Sequence, residues 1–304
     1  MGFSYFMVAA VLSASCSLEP PAPTQPLYRV AVIDRFYPGD ESFASDEDKD
    51  MDGWLNGMVD LDRDRKREPL YHGDIVSLLA SAPQVEVTPY PLTPGQPAQE
   101  EILRQLAEVR KHVFWGEPID AVVLSWESST LISAFEKPLR AENVENYKAV
   151  VRSWAEHDPV WNLSYRIIRL MEDLAESGVQ VYTIAGNGGR GMVNTYSFAD
   201  GVVTVGAVEA ELGDFIADNE LVDTHEQAAY FFRLVLDATG APVGYDVDGD
   251  DCADVPVTCL TGYSPERTDY PAKPWPPLKG SSFAAPMALR RHLLGDQSHR
   301  CSGT

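Results

Sequence analysis

The chain has 304 residues, 44% of them hydrophobic and 10% aromatic, which is enough for a large core and excludes global disorder. Lys and Arg number 24 against 46 Asp and Glu, a net charge of −22. That balance excludes phosphate backbones as partners and disfavours anionic membrane surfaces, because both are bound through Lys and Arg; divalent cations and basic peptides are favoured.

Residues 2–15 are apolar and uncharged and run into Cys16. The run is too short for a transmembrane span. It reads as the apolar part of an export signal over residues 1–16, with a buried amino-terminal strand as the alternative. Ser13-Ala14-Ser15-Cys16 resembles a lipoprotein box, so both free secretion and a lipid anchor at Cys16 are open. Residues 17–27 are Pro-rich and read as an extended tether, and residues 28–304 as one domain.

Tyr28–Asp34 is an apolar run ending in a carboxylate, the pattern of a buried parallel strand with a polar residue at its carboxyl end. Residues 40–68 are Asp-rich and predict a loop. His72–Ala80 predicts a helix with Ile75, Val76, Leu78 and Leu79 on its apolar face. A strand through Val85, Val87 and Tyr90 follows, then a helix over 99–112 and a strand over Ile119–Leu124. Leu163–Ala175 carries Ile167, Ile168, Leu170, Met171 and Leu174 at helical spacing, with Gly178 as its stop. Val179–Ile184 and Val202–Val208 are two more strands. Alternating strands and helices predict a three-layer α/β fold, a mostly parallel central sheet covered by helices on both faces.

Three segments carry candidate chemistry, in the order Asp, His, Ser. Asp34 ends the first strand. His72 opens the next helix and is followed by Gly73, whose missing side chain permits close backbone approach. Gly280-Ser281-Ser282-Phe283-Ala284-Ala285-Pro286 places a hydroxyl at the start of a helix, where unpaired N–H groups point toward an incoming oxyanion. Gly280 removes bulk where a substrate would lie. Between these, Asn187 sits among glycines in Ala185-Gly186-Asn187-Gly188-Gly189 and offers a side-chain amide as an oxyanion donor; a left-handed turn residue is the alternative.

These segments, with Val202–Val208, resemble the subtilisin-like serine peptidases over about residues 28–294. The resemblance implies a subtilisin-like fold with Ser282 as nucleophile, His72 as general base, Asp34 as its orienting carboxylate and Asn187 as oxyanion donor. It also implies that Ser125, Trp126 and Glu127 form a substrate-binding strand, with Gly280 beside it. The chain departs from the family pattern at Arg35-Phe36, where Thr or Ser and Gly usually follow the Asp. It departs again at Trp126-Glu127, where glycine is usual, and in leaving no room for a propeptide between Cys16 and Tyr28. Glu127 and the net charge suggest basic or neutral peptide segments as substrates.

Asp48, Asp50 and Asp52, closed by Gly53, match the start of a calcium loop, and Asp246, Asp248 and Asp250 form a second oxygen-rich loop. Structural calcium, which the resemblance also implies, is the only cofactor expected; solvated acidic loops are the alternative. Cys252 and Cys259 are candidates for a disulfide in an oxidising compartment. The expected function is an exported serine endopeptidase acting on proteins or peptides. The alternative is a catalytically weak or inactive surface protein of the same fold acting in calcium-dependent binding. Oligomeric state is left open.

Overall fold

The computed structural model describes residues 28–37, 61, 62, 68, 70–272 and 278–295. In chain order these form β1 Tyr28–Asp34, α1 His72–Ala80, β2 Val85–Pro91, α2 Ala98–Phe114, β3 Ala121–Leu124, β4 Ser129–Leu131, α3 Val144–Ala155 and α4 Pro159–Glu176. They continue with β5 Gln180–Ile184, β6 Met192–Asn194, β7 Val202–Ala207, β8 Thr224–Glu226, β9 Ala229–Tyr230, β10 Arg233–Leu236, β11 Pro242–Asp246, β12 Val255–Pro256, β13 Leu278–Lys279 and α5 Ser281–Leu294.

The five expected strands and the short edge strand β8 pair in parallel as one six-stranded sheet, in the order β2-β1-β3-β5-β7-β8. Side chains alternate across it. Val30, Val32, Ala121, Val123, Tyr182 and Ile184 face α1 and α5, which contribute Val76, Ala284, Ala285 and Leu289. On the other face Ala31, Ile33, Val122, Leu124 and Val181 pack beneath α2, α3 and α4, including Leu106, Val151 and Met171. A sheet buried on both sides needs near-continuous apolar strands, which is why Val30–Ile33 at the centre of β1 is apolar without a break. The architecture is therefore the three-layer α/β arrangement expected.

Helix α4 starts four residues before the expected Leu163, at a Pro in first position. Asp158 caps it, accepting from the N–H groups of Val160 at 2.7 Å and Trp161 at 3.3 Å. Helix α3, the short strand β8, the pairs β4-β6 and β9-β13, and a small antiparallel sheet β10-β11-β12 were not expected from the sequence. That sheet and α1 close a third cluster through Ile75, Leu79, Tyr230, Tyr245 and Phe283.

No helix among the described residues is long and apolar enough to cross a membrane. Cys252 and Cys259 are both disulfide-bonded. The export signal, the tether, Cys16, Cys301 and the Asp48, Asp50 and Asp52 loop lie outside the described residues.

Candidate active site

Asp34 ends β1, Ser125 follows β3 and Asn187 follows β5, so all three lie at the carboxyl edge of the parallel sheet. Helices α1 and α5 begin above the same edge and carry His72 and Ser282 in their first turns. Carboxyl edges of parallel sheets gather such groups because every strand ends there in a loop free to carry function.

Asp34 is fully buried. Its Oδ2 lies 2.8 Å from His72 Nδ1, and its Oδ1 accepts from Arg35 N–H at 2.7 Å and from Trp126 Nε1–H at 3.3 Å. An anionic Asp34 places the imidazole proton on Nδ1, which leaves Nε2 as the basic nitrogen. Burial pulls the His72 pKa down, but the charge of Asp34 and the hydrogen bond to it push harder, and the net shift is upward from 6.5. The approach of α1 to β1 depends on Gly73. Its N–H donates to Arg35 O at 2.8 Å, and a Cβ there would sit 2.7 Å from that oxygen and 2.9 Å from the Asp34 Cβ.

In the same first turn of α1, the Asp74 carboxylate accepts from Tyr71 N–H at 2.7 Å and Tyr37 N–H at 3.0 Å. It reaches back to tie the residue before the helix. Burial pushes its pKa up to about 6; the backbone donors oppose this, and the charge of Asp34 adds to it.

Ser282 is buried at the start of α5. Pro286 stands inside that helix, so the carbonyl of Ser282 lacks its usual donor four residues on. Ser125 Oγ fills the gap, donating to Ser282 O at 3.0 Å. The Ser282 Oγ in turn donates to Ser125 O at 3.3 Å. The nucleophile candidate is thus directed at the end of β3, and no hydrogen bond joins it to His72. The two neighbourhoods are adjacent nonetheless, with the His72 and Phe283 ring centroids 5.5 Å apart.

The Asn187 side chain has a defined orientation. Ser281 N–H and Ser281 Oγ both lie 3.0 Å from its Oδ1. A backbone N–H can only donate, so the contacted atom must be the carbonyl oxygen and Nδ2 is left as a donor. The Ser282 N–H has no acceptor among the described residues. Those two donors, a side-chain amide and a helix-start N–H, are the elements of an oxyanion site. A Cβ at Gly280 would lie 3.7 Å from the Asn187 amide, an ordinary contact, so packing does not demand the glycine.

Of the segment read as a substrate strand, each residue holds a different part of the site. Ser125 binds Ser282, Trp126 binds Asp34, and Glu127 accepts from Asn187 N–H at 2.7 Å through Oε2. Trp126 thereby supplies a side-chain donor to Asp34 in a chain that has Arg35 rather than Thr or Ser after the Asp. Sequence reasoning did not anticipate Asp74 or Ser281. The hydroxyl immediately before Ser282 was the available signal for the second.

The second acidic loop is only partly a cluster. One oxygen each from Asp246, Asp248 and Asp254 converge within 4.8 Å, whereas Asp250 turns to the N–H of Cys252 at 2.7 Å. Asp246 is paired with Arg233 at 2.6 Å, and Asp248 with Arg290. Guanidinium groups already meet two of the three carboxylates, so this donor set does not fit a bound cation without losing those pairs. Asp254 has its pKa pushed up to about 7, first by burial and then by the neighbouring Asp248.

Neither a family model nor a curated protein matches the chain. Among solved structures it is similar to a lanthipeptide protease, at 17% identity over 88% of this chain and 72% of the other, with a TM-score of 0.44. The patellamide maturation protease PatA gives 14% identity, 88% and 76% coverage and a TM-score of 0.45. The PatG macrocyclase in complex with peptide gives 12%, 88%, 74% and 0.46.

Proposed function

We propose that this chain is a serine endopeptidase of the subtilisin type. The observation that carries the reading is the pairing of a buried Asp34 with His72 Nδ1 at 2.8 Å, on the same sheet edge as a helix-start serine and an amide with its donor end free. Ser282 Oγ attacks the peptide carbonyl carbon and its proton passes to His72 Nε2. The carbonyl oxygen, now anionic, is held by Asn187 Nδ2 and Ser282 N–H. The C–N bond breaks as His72 protonates the leaving amine, and water then hydrolyses the acyl-enzyme with His72 again as base. The substrate is a peptide lying beside Ser125 and Gly280.

Export belongs to the same proposal. It is supported by the oxidised state of Cys252 and Cys259, since disulfides persist in oxidising compartments. A lipid anchor at Cys16 is separable from free secretion by fractionation of cells expressing C16S. Structural calcium is not proposed at Asp246, Asp248 and Asp254, where arginines hold two of the three carboxylates.

One observation favours the second reading, an inactive binding protein of the same fold: the Ser282 hydroxyl bonds to Ser125 O and not to His72. A serine hydroxyl can change partner by rotation about a single torsion, and catalytic hydrogen bonds are often loose before substrate binds. Fluorophosphonate labelling of the folded chain beside S282A separates the readings. Labelling lost in S282A supports the peptidase; no labelling of a folded wild-type chain leaves the binding protein.

A further inference from the structure

Asn187 stands in a loop with glycines at 186, 188 and 189, and two of them have positive φ, +103° at Gly186 and +75° at Gly189. Such a loop has little stiffness of its own. An oxyanion donor, by contrast, acts through being fixed before the charge develops. The loop must therefore be held from outside. Its flanks are tied by Ala217 N–H to Gly186 O at 2.9 Å and Gly189 N–H to Phe215 O at 2.8 Å. The Asn187 side chain is tied by Ser281. Among the described residues the Asn187 backbone itself has one tie, the Glu127 carboxylate at 2.7 Å.

That carboxylate is seated. Ser129 Oγ donates to the same Oε2 at 3.0 Å. A Cβ on Gly186 would lie 2.5 Å from Oε2 and 3.0 Å from Ser129 Oγ, so the absent side chain is what makes room for it. A charged acceptor gives a shorter and stronger bond than a neutral one, which suits a tether on a loop of this composition.

We propose that Glu127 is a positioning residue for the oxyanion donor, acting on catalysis through the Asn187 backbone and not through the charge of the substrate. This rests on the serine peptidase reading above, and it assigns to Glu127 a role that its place in a substrate strand does not suggest.

The test is a cycle of wild type, E127A, N187A and the double variant. It is read by the second-order rate of fluorophosphonate labelling and by kcat and KM on peptide amides with Lys or Arg and with neutral side chains. E127A is expected to slow labelling by about 10-fold or more and to lower kcat, with KM within about twofold. In the N187A background E127A is expected to add less than about twofold, because its effect runs through a side chain already gone. E127Q keeps an oxygen acceptor without the charge and is expected to recover part of the loss. Equal slowing by E127A in both backgrounds overturns the proposal. So does a change confined to KM for Lys and Arg peptides. Should E127A fail to fold, E127Q decides: normal labelling with loss of Lys/Arg discrimination overturns the proposal, whereas slowed labelling with unchanged discrimination upholds it. A wild-type chain that is not labelled overturns the peptidase reading itself. A labelled wild type with an indifferent E127A overturns only the role of Glu127.

Discussion

Asp74→Asn should change how stability depends on pH, and the size of the change follows from the site. The carboxyl is half-buried beside Asp34, with its pKa moved from 3.8 to about 6, chiefly by burial. The unfolded chain loses this proton near pH 4, while the folded chain keeps it to about pH 6. Between those values the folded state binds more protons, so stability falls as pH rises. The shift corresponds to about 2–3 kcal/mol lost from the wild type across that window. Asparagine keeps an oxygen for the Tyr71 and Tyr37 N–H groups and has no charge to desolvate. The assay is urea unfolding of both proteins at steps from pH 3.5 to 7.5. Asp250 and Asp254 titrate in both proteins and cancel in the difference. D74N is expected to gain about 2–3 kcal/mol on the wild type between pH 4 and pH 7, and nothing more above that. Parallel curves would refute the claim that burial holds the Asp74 proton.

Four further outcomes follow. N187A should keep its fold by circular dichroism and lose about 10²–10³-fold in kcat, a magnitude associated with removing one oxyanion donor, subtilisins included; a loss under tenfold removes Asn187 from the oxyanion site. The acid limb of kcat/KM should turn above pH 6.5, because His72 must be neutral to act as base and its pKa is raised; a limb below pH 6 contradicts the Asp34 pairing. G73A should abolish labelling and lower Tm, since its Cβ would sit 2.7 Å from Arg35 O; a G73A protein with wild-type Tm and rate would mean that the helix start can shift freely. Millimolar calcium should leave Tm of a variant lacking Asp48, Asp50 and Asp52 unchanged, whereas a rise of several degrees would place an ion at Asp246, Asp248 and Asp254.

Much of the fold is written in short-range pattern. Val30–Ile33 is apolar throughout and Val179–Ile184 mostly so, because both faces of their strands are covered, and the helices between them show their buried stripes. Helix α3 escaped because its stripe is broken. Lys148 lies in it beside Tyr147 and Val151, and its ammonium is buried against Glu172 and Asp200, both at 2.7 Å. A lysine in an apolar face hides the period, and its partners lie on later segments. The small β10-β11-β12 sheet has strands of two to five residues, with Pro and Gly in β11 and Pro in β12, too short for alternation to register. In the site, the positions of Asp34, His72, Asn187 and Ser282 were readable as motifs. What ties them together was not. Ser125 meets Ser282 across 157 residues of sequence and Glu127 meets Asn187 across 60, contacts that local pattern does not encode.

The helix bearing Ser282 comes after every strand of the main sheet in the chain, yet it packs into the face made by those strands. A ribosome delivers the amino end first, so Asp34, His72 and the Asn187 loop emerge before the hydroxyl that would complete them. A growing chain therefore holds Asp34, His72 and Asn187 before it holds Ser282. On the peptidase reading, the order of the elements alone delays assembly of the set until α5 docks.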